Sequence, residues 1–164
     1  MDPASIKVIK DELKDKSPAE LTELVLALAR SRKENKELLS YLLFDSYDEE
    51  GYIRAIKEEI EEEFSRINDR NFYYIKKSVR KILRNTKKYI RYSKKKETEV
   101  EVLLHFCKTL ADMTPSYKRN IALSNLMDRQ FALIYRTIGK LHPDLQYDYR
   151  TELEEITDRV QHPG

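Results

Sequence analysis

Between residues 70 and 96 the chain carries twelve Lys and Arg and no acid. Cations at that density offer one chemistry, neutralisation of phosphate or carboxylate charge, and their spacing decides whether they can act together. The apolar positions Phe72, Ile75, Val79, Ile82, Thr86, Tyr89 and Ile90 advance by three and four, the period of a helix. Lys77, Arg80, Arg84, Lys87 and Arg91 therefore gather on the opposite side. From Lys77 to Arg91 that face runs about 21 Å at roughly 1.5 Å per residue. The adjacent Tyr73, Tyr74 and Tyr92 offer rings on which bases could stack. The candidate surface for a partner or a nucleic acid is thus Lys77, Arg80, Arg84, Lys87, Arg91, Tyr73 and Tyr92.

Other chemistries find little support. The run Glu58 to Glu63 has the carboxylates of a metal cluster, but the Glu-x-x-His pair of a di-iron bundle is missing, and Glu58 and Glu62 point away from Ile60. A solvated acidic face is expected there. His105 lies in an apolar segment with no second His at ligand spacing and reads as a satisfied core imidazole. His142 precedes Pro143 at a helix start, and His162 is in the tail. Three glycines cannot build a phosphate-cradling loop, and Ser78, Thr86 and Ser124 have no neighbouring base in sequence. No catalytic residue, metal or cofactor is expected, and the chain is read as a non-enzyme.

The elements that must position the ridge follow from caps and periodicity. Ser17-Pro18-Ala19-Glu20 is a capping box with proline in the first turn, which predicts a helix over about 18–31. Ile6, Ile9 and Leu13 predict a short helix before it, and Leu38, Leu39, Leu42 and Leu43 another after it. Asp48 caps a longer helix with Ile53, Ile56, Ile60, Phe64 and Ile67 on one face. The turn Asn68 to Asn71 makes it antiparallel to the basic helix, so acidic and basic flanks are expected to pair; residues 45–69 hold ten acids against three bases. Residues 97–112 are apolar nearly all round and predict a central, buried helix. Thr114-Pro115 is expected to open a helix of about 24 residues that Gly139 closes in the left-handed conformation. A last helix is expected from Pro143 to about Val160, with Tyr149, Leu153 and Ile156 inward.

The reading is an all-α helical bundle of about eight helices with a short N-terminal unit like a helical repeat. It forms one helical domain over 1–164, with the short-helix unit at about 1–46 and the long-helix bundle at about 48–160. At 164 residues the chain can bury a core without staples. Cys107 has no disulfide partner and sits among apolar neighbours, which suits a buried thiol in a reducing compartment. No apolar run approaches the roughly 20 residues of a membrane span, so a soluble, cytoplasmic protein with no membrane contact is expected.

The segment Ile6 to Phe44, with Leu13, Ser17, Glu20-Leu21, Leu24-Val25, Leu28-Ala29 and Leu38 to Leu43, resembles the N-terminal helices of an uncharacterised bacterial all-helical family, a domain of unknown function. The block Ile75 to Arg84, with Lys88 to Ser93 and Leu103 to Cys107, is similar to segments of hypothetical Bacteroidetes proteins. The resemblance implies a helical fold and no chemistry.

A net charge of +2 does not by itself demand a polyanion. The first functional expectation is a non-catalytic cytoplasmic interaction or scaffold module with a protein partner, its basic face solvated and paired with the acidic helix. The alternative is a nucleic-acid-binding accessory protein using the basic helix 70–96. Oligomeric state is not encoded in any motif.

Overall fold

The computed structural model describes residues 1–162. It contains eight α-helices and no strand among the described residues. The chain divides into two compact units, residues 1–44 and 45–164.

The first unit holds α1 (Ile6–Leu13), α2 (Pro18–Ser31) and α3 (Lys33–Leu43). The capping box forms as its residue types require: Ser17 Oγ accepts from the Glu20 N–H and Glu20 Oε1 accepts from the Ser17 N–H. α2 and α3 pack on each other, and their turn is held by the Asn35 amide donating to the Leu28 carbonyl at 2.8 Å. Burial is thin. Ala29 and Tyr41 are the buried residues of these three helices, and α1 has none.

The second unit holds α4 (Glu49–Ser65), α5 (Phe72–Ser93), α6 (Lys96–Ala111), α7 (Ile121–Ile138) and α8 (Pro143–Gln161), with 3₁₀ turns at Asp45–Tyr47 and Tyr117–Arg119. α6 packs on each of the other four, while α4 adjoins α5 and α7 adjoins α8. A helix with neighbours all round must be apolar all round. Thr98, Val100, Val102, Leu103, Leu104, Phe106, Cys107 and Leu110 of α6 are accordingly buried. Polar ties fix the surrounding helices to it: Lys57 Nζ to Glu101 at 2.7 Å, the Thr137 hydroxyl to Glu99 at 2.9 Å, and the Tyr149 hydroxyl to Glu97 and Glu101, each at 2.9 Å.

Two boundaries differ from the sequence expectation. α7 begins at Ile121, not at Pro115, and has 18 residues. Ser116 accepts from the Lys118 N–H and bends 117–119 into a 3₁₀ turn, after which Asn120 accepts from the Leu123 N–H and caps the helix proper. Gly139 ends α7 at φ −60°, right-handed, because its N–H still bonds the Tyr135 carbonyl and Lys140 continues the turn onto Thr137. The left-handed cap falls instead on Lys94, at φ 60°, where α5 ends and α6 starts two residues later.

Candidate functional site

α5 is capped by Asn71, whose side chain accepts from the Tyr74 N–H. Its buried side is Ile75, Val79, Ile82, Leu83, Thr86, Ile90 and Ser93. That fixes the helix in rotation and turns Lys77, Arg80, Arg84 and Arg91 outward, all exposed. Tyr73, 65% exposed, shares their side of the helix. Tyr92 lies about 100° further round at 100° per residue, half-buried with its ring 6.4 Å from that of Tyr89. Tyr74 is half-buried, its ring 5.2 Å from Tyr73 and under the Arg70 guanidinium. The stacking platform beside the ridge is therefore Tyr73, and Tyr92 belongs to the α4 side.

The expected pairing of acidic and basic flanks is partial: Glu49 of α4 faces Lys95 of the basic segment, but the ridge itself takes none of the acids of α4. Lys77, Arg80, Arg84, Lys87 and Arg91 make no ion pair among the described residues. Five acids of α4 are engaged elsewhere: Glu62 and Glu63 take Arg66 at the helix C-cap, Glu49 faces Lys95, Glu61 approaches His105 of α6, and Glu59 accepts from the Tyr89 hydroxyl. The reason is geometric. α4 meets α5 on the flank that carries Tyr89, nearly half a turn from the middle of the ridge.

The opposite flank of α5 faces α7. The Arg119 guanidinium lies 5.7 Å from the Phe72 ring centroid, joining the 3₁₀ turn before α7 to the start of α5. Lys87 is half-buried on this flank, its pKa lowered first by burial and further by Arg129, while Glu99 beneath it acts the other way. An open groove of about 760 Å³ here includes Lys87, Arg129, Leu133 and Arg136. Arg129 and Arg136 are seven residues apart, nearly one above the other on α7, both exposed and both without an ion pair among the described residues. A second row of cations thus runs beside the first, with Lys87 between them. The same groove continues round α7 to Phe131, Tyr135 and Arg150. Beneath it Gln130 is 3% exposed, and its side-chain oxygen has no hydrogen-bond partner.

Such a surface can attract and hold extended anions. No group of His, Cys, Asp and Glu that could hold a metal ion occurs among the described residues. The His105 imidazole is not enclosed in the core: it is half-buried, and Nε2 faces Glu61 Oε1 of α4 at 3.0 Å. Cys107 is fully buried, and burial raises its pKa far above the ordinary thiol value.

A second surface, absent from the candidate set, lies in the first unit. Ile6, Val8, Ile9, Leu13, Leu24, Val25, Leu28, Leu42, Leu43 and Phe44 are large, apolar and exposed. Their helical periodicity is visible in the sequence, but the same pattern reads as a core face until the neighbours are known. No helix among the described residues is long and apolar enough to cross a membrane. No protein-family model, curated protein or solved structure matches the chain.

Proposed function

We propose that the chain is a non-catalytic helical binding protein of a reducing compartment whose α4–α8 unit holds nucleic acid by its phosphate backbone. One observation carries this reading: seven cations in two adjoining rows, Lys77, Arg80, Arg84, Lys87 and Arg91 with Arg129 and Arg136, have no ion-pair partner among the described residues. A solvated face that merely keeps a helix in water has no need of a second row on another helix. The rows are long enough to meet several phosphates, since each strand of a duplex carries one phosphate per about 3.4 Å of helix axis. Nothing in them reads bases, so sequence-independent binding is expected, with Tyr73 adding stacking on single strands.

The experiment is binding of mixed-sequence duplex and single-stranded DNA and RNA across salt concentrations. Micromolar affinity at low salt should fall with a log–log slope of about −4, as expected for four to five phosphates. Arg80→Glu with Arg84→Glu should abolish binding, and Arg129→Glu with Arg136→Glu should weaken it, helicity being unchanged in both. Affinity no better than about 10⁻⁴ M at low salt, or binding indifferent to both pairs, would refute the reading.

A second reading, a protein-interaction or scaffold module, draws on the exposed apolar side chains of α1–α3. An uncovered apolar surface of that extent on a small unit is the usual mark of a docking face.

A further inference from the structure

The first unit carries both halves of an interface, and neither is filled. One half is α1. Ile6, Ile9 and Leu13 form its apolar stripe, at 80%, 42% and 37% exposure, and no residue of the helix is buried. The other half is a groove of about 200 Å³ between α2 and α3, lined by Val25, Leu28, Ala29, Leu38, Leu39 and Leu42. That volume takes about two aliphatic side chains, at the roughly 30 Å³ that one water-sized group occupies in a condensed phase. α1 of the same chain does not occupy it, although only residues 14–17 separate α1 from α2.

Charge decides what kind of occupant fits. Residues 1–44 hold eight Lys and Arg and eight Asp and Glu, so the unit is neutral. A neutral face has no preference for an anionic membrane or a strongly charged partner, and it does not repel a second copy of itself. Area agrees. The exposed apolar side chains of the two halves, Ile6, Ile9, Leu13, Val25, Leu28 and Leu42, present on the order of 600 Å² per chain, the larger part of the about 800 Å² per partner that a stable interface buries.

We propose that two copies of the chain associate about a twofold axis, with α1 of each lying in the α2–α3 groove of the other. The exchange fills both grooves and covers both α1 stripes in one closed arrangement. It does not depend on the nucleic-acid reading, since no cation of α5 or α7 takes part.

The test is sedimentation equilibrium on the full chain over a range of concentrations. The mass should rise from 19.6 kDa to twice that value. Ile9→Lys with Leu13→Lys should abolish the dimer, and so, separately, should Leu28→Lys with Leu42→Lys. All four positions are exposed, so helicity should be retained. As an independent measurement, an Ile9→Cys chain mixed with a Leu42→Cys chain should give an oxidised heterodimer, with the native Cys107 buried and silent. A wild-type chain monomeric at every concentration overturns the proposal, as does a dimer that survives the α1 substitutions, or cysteine chains that fail to cross-link.

Discussion

At His105 burial and charge oppose each other. Half-burial beside Phe106 and Cys107 disfavours the imidazolium and is the larger effect; Glu61, 3.0 Å away, favours it. The net result is a pKa below the ordinary 6.5 of the unfolded chain. Between the folded and unfolded values the unfolded state binds more protons, so stability is complete above 6.5 and declines as pH falls through that window. Denaturant midpoints measured from about pH 7 down to about 5.5 should therefore fall, and His105→Gln should flatten that part of the profile. A midpoint that rises on acidification would mean that Glu61 dominates. The same scale marks what sequence could convey about the site. Lys77 to Arg91 were legible because one helix carries them at one period. Arg129 and Arg136 were not, because only packing around α6 brings α7 beside α5. The failure of Glu58 to Glu63 to neutralise the ridge was equally hidden, since it depends on which flank of α5 meets α4.

Helix boundaries were legible wherever the cap is a local contact. Ser17, Asp48 and Asn71 each accept from the N–H three residues on, an arrangement fixed within one turn. The expectation for α7 failed because Pro115 offers one start and Asn120 another, and the side chain that reaches a free N–H in the first turn of the helix won. Lys94 shows the converse. Its φ of 60° and its N–H bond to the Ile90 carbonyl at 2.9 Å form the kind of helix end that glycine usually supplies. A residue with a Cβ costs about 1–2 kcal/mol in that conformation, offset in part by the larger entropy glycine loses on folding. Lys94→Gly should therefore raise stability by about 0.5–1 kcal/mol in equilibrium denaturation, with no change in helix content. Destabilisation would indicate that the Lys94 side chain contributes packing that its exposure does not suggest.

The whole molecule divides its burial unequally. The residues of the main hydrophobic core, from Ile56 to Ile156, all belong to the 45–164 unit, and those with no exposure at all are concentrated on α6 and α7. The first unit contributes Ala29 and Tyr41. Opening free energy follows buried apolar contact, and a short helix with no buried residue has little to hold it closed. In hydrogen exchange, amides of α1 should exchange fastest, those of α2 and α3 next, and those of α6 slowest, at the rate of global unfolding. The slow set is fixed by the core and should not change with protein concentration. The fast set should change: if a second copy covers α1 and the α2–α3 groove, exchange there slows as the concentration rises through the dimer range, by the fraction of chains associated. Equal protection of α1 and α6 in dilute solution would contradict the burial pattern on which the division into two units rests.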